Sequence, residues 1–219
     1  MKPRLLPLGD SALLIQFGDQ IDLEINRRVQ ALDSLLRAEA LAGMIETVPA
    51  YATLLVHYDP LALTYEQVSD RIRAEMDRIE SNATRAPRRI EIPVRYGGAS
   101  GPDLEWVAAH HQLSLADVIH LHTDRTYTVY MMGFTPGFPY MGKLHTSLIT
   151  PRLDSPRTLV RAGTVAIAGE QTGIYPVDSP GGWRLIGWTL LSLFDLSSDA
   201  PFLFAPGDKV KFIVEAIDA

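Results

Sequence analysis

No cysteine occurs among the 219 residues of this chain. Disulfides, thiolate zinc sites, iron–sulfur clusters and cysteine nucleophiles are therefore excluded. An excess of positive charge is missing too: 20 Lys and Arg stand against 26 Asp and Glu, a formal charge of −6. Phosphate backbones and anionic membrane surfaces are bound by cationic fields, so neither nucleic acid nor membrane is an expected partner. No apolar run is long enough to cross a bilayer, and residues 1–10 lack the apolar core of a signal peptide, so a cytoplasmic location is expected. Aromatic residues make up only 8% of the chain, which makes their uneven placement informative.

They concentrate in two clusters, residues 133–140 and 174–183, where Phe134, Phe138, Tyr140, Tyr175 and Trp183 sit among glycines and prolines. Glycine permits positive φ and close backbone approach, and proline fixes φ, so rings in such segments are held at bends with little freedom. A linker would not need the rings, and a central strand would not tolerate the prolines. The pattern predicts a rigid, aromatic-walled concavity.

The first part of the chain carries periodicity without a chemical motif. Residues 11–17 read as a strand. Residues 21–41 read as an amphipathic helix with Ile25, Val29, Leu32, Leu35 and Leu36 at helical spacing, stopped by Gly43. Strands at 44–48 and 53–58 follow, then a helix over 64–79 with Thr64 as N-cap, then a strand at 90–94. That order predicts a ferredoxin-like α/β arrangement. Arg71, Arg73, Glu75 and Asp77 read as the solvated face of the second helix. The polar run 81–88 reads as a linker, which divides the chain into domains of residues 1–87 and 88–219. In the second, helices over 103–110 and 115–122, the latter capped by Ser114, precede short strands at 127–131, 164–168, 183–187, 190–194 and 210–214. Short strands punctuated by Gly and Pro predict a mainly-β barrel.

Several chemistries can be weighed from spacing. Residues 137–143 match most of a phosphate-loop pattern, but Leu144 stands where Ser or Thr is required, and Phe138, Pro139, Tyr140 and Met141 cannot form a cradle of converging N–H groups. The six histidines show no strong zinc spacing, so no metal site is assigned. His122 and His145 remain proton-transfer candidates beside a plainer reading as helix-end or loop histidines. There is no Gly-x-Ser-x-Gly elbow, and Ser179, between Asp178 and Pro180, reads first as a turn residue. No catalytic residue is assigned. Arg152, Arg157, Arg161 and Arg184 bracket the aromatic clusters; guanidinium forks suit carboxylate or phosphate, and serve equally as stacked surface cations.

The second half of the chain resembles the allophanate hydrolase subunit 1 family, which includes 5-oxoprolinase B subunits and KipI-type inhibitors of sporulation histidine kinases. The resemblance rests on Ile92-Pro93-Val94-Arg95-Tyr96-Gly97-Gly98, Gly101-Pro102-Asp103-Leu104, the 133–140 cluster, Pro151-Arg152, Pro156-Arg157, residues 162–169 and 171–176, Ser179-Pro180-Gly181-Gly182-Trp183, Leu193-Phe194-Asp195 and Pro206-Gly207-Asp208. It implies a ferredoxin-like N-terminal domain followed by a cyclophilin-like barrel. It further implies one component of an ATP-dependent 5-oxoprolinase that opens 5-oxo-L-proline to L-glutamate. The partners would be a C subunit of the allophanate hydrolase subunit 2 family and an A subunit of the LamB/YcsF type. ATP would be co-substrate of the complex, with magnesium, and no tightly bound cofactor is expected. On this resemblance Arg152 and Arg157 are anion contacts, and Phe134, Phe138, Tyr140, Tyr175 and Trp183 wall the pocket. Gln171 and Ser179 offer polar contacts, and Gly181 and Gly182 admit a ligand close to the backbone. Arg161 stands where the family usually has proline, adding a charge. The family leaves open two other functions, inhibition of a histidine kinase and a place in an allophanate hydrolase. Prolyl isomerase activity has only fold analogy behind it.

Overall fold

The computed structural model describes residues 3–39, 41–76, 78–79 and 86–218. Contacts divide the chain into two compact units, Met1–Ala86 and Pro87–Ala219.

The first unit is a four-stranded antiparallel sheet with two helices. Its strands are β1 (Arg4–Pro7), β2 (Ala12–Gln16), β3 (Met44–Pro49) and β4 (Thr53–Tyr58), in the order β1-β2-β4-β3. Helix α1 (Leu23–Glu39) starts where the Asp22 carboxylate accepts the backbone N–H groups of Glu24 and Ile25, each at 2.9 Å. Helix α2 (Tyr65–Met76) starts with a reciprocal capping box between Thr64 and Gln67. Leu13, Ile15, Leu54 and Val56 of the sheet pack against Val29, Leu32, Val68 and Ile72 of the helices to form the core.

Two expectations are corrected in this unit. The strand at 90–94 does not belong to its sheet; the fourth strand is β1, which pattern reading missed because Pro3 precedes it and Pro7 ends it. Proline is tolerated there because β1 is an edge. Glu75 is not solvated either: it is buried between Arg71 at 3.0 Å and Arg78 at 2.8 Å, one helical turn to each side. Asp77, residue 80 and residues 81–85 of the expected linker lie outside the described residues.

The second unit is mainly β. It contains β5 (Arg89–Tyr96), α3 (Leu104–His111), α4 (Leu115–Thr123), β6 (Thr126–Met132), β7 (Pro139–Gly142), β8 (Arg157–Val160), β9 (Thr164–Ala168), β10 (Gln171–Ile174), β11 (Ser179–Gly181), β12 (Arg184–Trp188) and β13 (Lys209–Ile217). Seven of these strands close into a barrel in the order β10-β7-β6-β13-β5-β12-β9, while β8 and β11 form a separate two-stranded ribbon. Residues 190–194, expected as a strand, are irregular instead. Phe194 makes an isolated bridge to Phe202, while Leu193 and Phe204 reach the core.

The barrel interior is filled by Ile92, Val94, Val129, Val165, Ile167 and Phe212, and α3 and α4 add Leu104, Val107, Val118 and Ile119 to the same core. Strand β9 is buried along its whole length. Val165 and Ile167 face the interior, and Ala166 and Ala168 belong to a second cluster with Val160 of the ribbon. Small residues on that outer face let the ribbon lie close.

One polar chain crosses the apolar interior. The Thr172 hydroxyl donates to the Ala166 carbonyl at 3.1 Å, so its oxygen accepts from His122 Nε2 at 2.9 Å. That leaves Nδ1 to accept the Tyr96 hydroxyl at 2.8 Å. Burial pushes His122 down to about 3 from its ordinary 6.5. The unfolded chain therefore takes up this proton well before the folded one. The contribution to stability is complete above pH 6.5 and is lost as the pH falls from there towards 3, by about 1.4 kcal/mol per pH unit. Urea unfolding at pH 7.5 and pH 5 is expected to show a pH-dependent loss about 2 kcal/mol larger in the native protein than in His122→Gln. Equal losses in the two would contradict a buried neutral imidazole.

Candidate functional site

The two aromatic clusters meet on the outside of the barrel. Phe138 lies 5.3 Å from Tyr175, 5.5 Å from Trp183 and 4.8 Å from Tyr140 between ring centroids, all edge to face, and Phe134 lies 5.6 Å from Phe138. The convergence agrees with the sequence reading, but the concavity is corrected. Phe138, Tyr175 and Trp183 are buried against one another and against Val160, Ala166, Ala168 and Leu185, because the β8–β11 ribbon closes over them. Edge-to-face packing makes these rings a second core. What remains accessible is half-buried Tyr140 and Phe134, which is 60% exposed and held at φ 66°. A bulky residue in that left-handed region, with its ring in water, is a strained and displayed side chain. The Arg152 guanidinium lies 6.0 Å from the Trp183 ring centre. Burial pushes the Tyr140 and Tyr175 phenols up, and the charge of Arg152 opposes it.

Gly181 was expected to admit a ligand. Its neighbour is instead the protein's own tyrosine: a Cβ there would stand 2.3 Å from the Tyr175 hydroxyl, in a packed site where the ring has no room to retreat. At Gly182 a Cβ would meet Pro156 at an ordinary 3.6 Å.

Beside this cluster lies a feature that pattern reading missed. Asp103 occupies the N-cap position of α3, yet its carboxylate does not cap the helix. One oxygen accepts the Leu185 N–H of β12 at 2.7 Å, and the other accepts Arg157 Nη2 of β8 at 2.8 Å. Gly101, two residues earlier, allows this approach, since a Cβ there would lie 2.1 Å from the Ile186 carbonyl oxygen. The Gly-Pro-Asp-Leu motif was the available signal, but locally Asp103 reads only as the start of a helix. The pair fixes the Arg157 fork, whose other terminal nitrogen, Nη1, is buried with no hydrogen-bond partner among the described residues. Leaving such a donor unsatisfied costs about 1–3 kcal/mol.

Arg157 also lines an open cleft of about 580 Å³, together with Arg95, Ser100, Leu159, Arg161 and Trp188. That volume is in the range of small-molecule sites. Arg95 is paired with Asp218 at 2.8 Å, and Asp218 also accepts the Ser100 hydroxyl at 2.6 Å. Arg161 lies 4.4 Å over the Trp188 ring, and the indole N–H donates to the Ala162 carbonyl at 2.8 Å.

The remaining candidates divide clearly. Gln171 pairs with Gly142 and Ala168 at the start of β10, two residues before Gly173, which packs on Phe138; it borders the aromatic cluster. Ser179 is buried in the ribbon opposite Val160, and its hydroxyl has no partner among the described residues. Arg184 stands apart, stacked at 3.4 Å on Trp106. His122 is sealed in the barrel, and His145 accepts the Ser147 N–H at 3.2 Å, capping a short 3-10 turn. Residues 139–142 form β7, so they make no phosphate loop, and Lys143 lies 3.6 Å from Glu170. Among the described residues no three His, Asp or Glu side chains are grouped as a metal site, and no helix is long and apolar enough to cross a membrane.

The profile of the family described as "Carboxyltransferase domain, subdomain C and D" matches residues 3–204, and the chain belongs to that family. Among its relatives is the 5-oxoprolinase B subunit of Bacillus subtilis (strain 168), 42% identical over 94% of this chain and 90% of that one. Another is the 5-oxoprolinase B subunit of Escherichia coli O157:H7, 41% identical over 97% of this chain and 96% of that one. Among solved structures, TTHA0988 is similar with a TM-score of 0.82 at 40% identity over 93% of this chain; this chain spans 39% of that longer protein.

Replacing Asp103 by alanine would leave the Leu185 N–H and the Arg157 guanidinium without their acceptor. Breaking a buried pair costs about 3–5 kcal/mol, and Arg157 keeps 30% of its side chain in water, so a loss of about 2–3 kcal/mol is expected. Chemical denaturation of Asp103→Ala measures it; a loss below about 0.5 kcal/mol, the ordinary surface value, would contradict the structural role assigned to the pair.

Proposed function

We propose that this chain is the B subunit of a multi-component, ATP-dependent 5-oxoprolinase that opens 5-oxo-L-proline to L-glutamate. The observation that carries the reading is identity of 41–42% with 5-oxoprolinase B subunits over nearly the full length of both chains. Its partners on this reading are a C subunit of the allophanate hydrolase subunit 2 family and an A subunit of the LamB/YcsF type, and its location is the cytoplasm. The domains are residues 1–87 and 88–219. The first is a variant of the ferredoxin-like arrangement whose fourth strand comes from the N-terminus, and the second is a cyclophilin-like barrel. Support for the variant lies in the sheet order β1-β2-β4-β3 with both helices packed into its core.

The chemistry sets what the complex must supply. A lactam is an unreactive amide, and transfer of a phosphoryl group from ATP to its oxygen turns that oxygen into a leaving group. Such a transfer is accelerated by fixed cations near the phosphoryl oxygens and by exclusion of water. Arg152 and Arg157 are this chain's candidates for anion contacts: Arg152 is exposed beside Trp183, and Arg157 is held in place by Asp103. Phe134 and Tyr140 form the accessible aromatic surface, with Gln171 at its border. Phe138, Tyr175, Ser179, Gly181, Gly182 and Trp183 act as the support beneath it. The described residues offer no acidic cluster fitted to magnesium.

Co-expression with the A and C subunits tests the reading. Wild-type complex is expected to release glutamate from 5-oxo-L-proline only with ATP, and Arg152→Ala to lower kcat/KM by about tenfold, the value of one charge-assisted contact, with unchanged Tm. Activity of Arg152→Ala within twofold of wild type would remove that residue from the site. Absence of ATP-dependent glutamate release from the assembled wild-type complex would remove the function.

A further inference from the structure

The arginine-lined cleft is built as a site of its own. Three guanidinium groups line it, Arg95, Arg157 and Arg161. Among the described residues Asp218 pairs with Arg95 and Asp103 with Arg157, and Arg161 has no carboxylate partner. These pairs orient the groups instead of exhausting them: a guanidinium carries five N–H donors, and Arg157 keeps 30% of its side chain in water. Arg161 is steadied by its stack on Trp188, whose own N–H is held by the Ala162 carbonyl. The wall between these cations is apolar: Leu159, 64% exposed, and Leu185. A leucine left that open beside fixed guanidinium groups suits a ligand with a compact apolar body and an acidic end.

We propose that this cleft binds a small monocarboxylate, its two oxygens shared between Arg157 and Arg161 and its body against Leu159 and Leu185. A guanidinium fork matches the two coplanar oxygens of a carboxylate. Two guanidinium groups already paired with carboxylates, beside one that is not, suit a monoanion better than a polyphosphate. On the 5-oxoprolinase reading above, that ligand class is the carboxylate of 5-oxo-L-proline; the cleft itself does not depend on the reading.

Isothermal titration calorimetry of the full chain tests this with three probes: 5-oxo-L-proline, cyclopentanecarboxylate as a carboxylate independent of the proposed reaction, and inorganic phosphate. Saturable binding of at least one carboxylate, tighter than phosphate, is expected. Arg161→Gln and Arg157→Lys are each expected to weaken it at least tenfold, whereas Arg28→Gln, in the first unit, is expected to leave it unchanged. Arg161 is exposed and makes a stacking contact, so Arg161→Gln carries the test even if Arg157→Lys is poorly folded. No saturable carboxylate binding, binding unaltered by Arg161→Gln, or phosphate binding tighter than either carboxylate would each overturn the proposal. The two readings separate in the assembled complex. Glutamate release with wild-type KM in Arg161→Gln would remove 5-oxo-L-proline from the cleft and leave the function. Carboxylate binding in a chain whose complex releases no glutamate would sink the function and leave the cleft.

Discussion

Burial of β9 on both faces is the constraint on which the second unit depends. Its inward residues, Val165 and Ile167, complete the barrel core, and its outward residues, Ala166 and Ala168, form the floor of the aromatic cluster. A strand buried on both sides shows no alternation in sequence and must be covered from outside. The β8–β11 ribbon supplies that cover. Phe138, Tyr175 and Trp183 rest on that floor, and the displayed Phe134 and Tyr140 pack on Phe138 in turn.

The Asp103–Arg157 pair ties the cover to the barrel. It joins the start of α3 to β8, and its second carboxylate oxygen holds the backbone of β12. Arg157 is thereby held in one orientation between the aromatic cluster and the arginine-lined cleft. The rings of Phe138, Tyr175 and Trp183 have the same character: they fix the surface from beneath, while Phe134, Tyr140 and Arg152 present it. A surface of fixed cations and displayed rings suits a protein that meets an anionic group.

Much of this was legible in the sequence for physical reasons. Helices α1 and α2 announced themselves by apolar spacing, and α2 and α4 by Thr64 and Ser114 at their starts, since caps and periodicity are local. The two aromatic clusters were correctly expected to converge, because glycine and proline leave the rings few other placements. What sequence did not reveal was set by distant partners. β1 looked too rich in proline for a strand, and only its place at a sheet edge makes it one. The rings looked like pocket walls because nothing local tells an open ring from one covered by a ribbon formed by residues 157–160 and 179–181. Asp103 read as the first residue of a helix because its partner, Arg157, lies 54 residues away.

The measurement that tests the central claim most directly is ATP-dependent glutamate release from 5-oxo-L-proline by the reconstituted three-component complex, with this chain included or left out. The account predicts activity that disappears when the chain is omitted and returns when the purified chain is added back. Activity from the two partner proteins alone, equal to that of the full set, would contradict it.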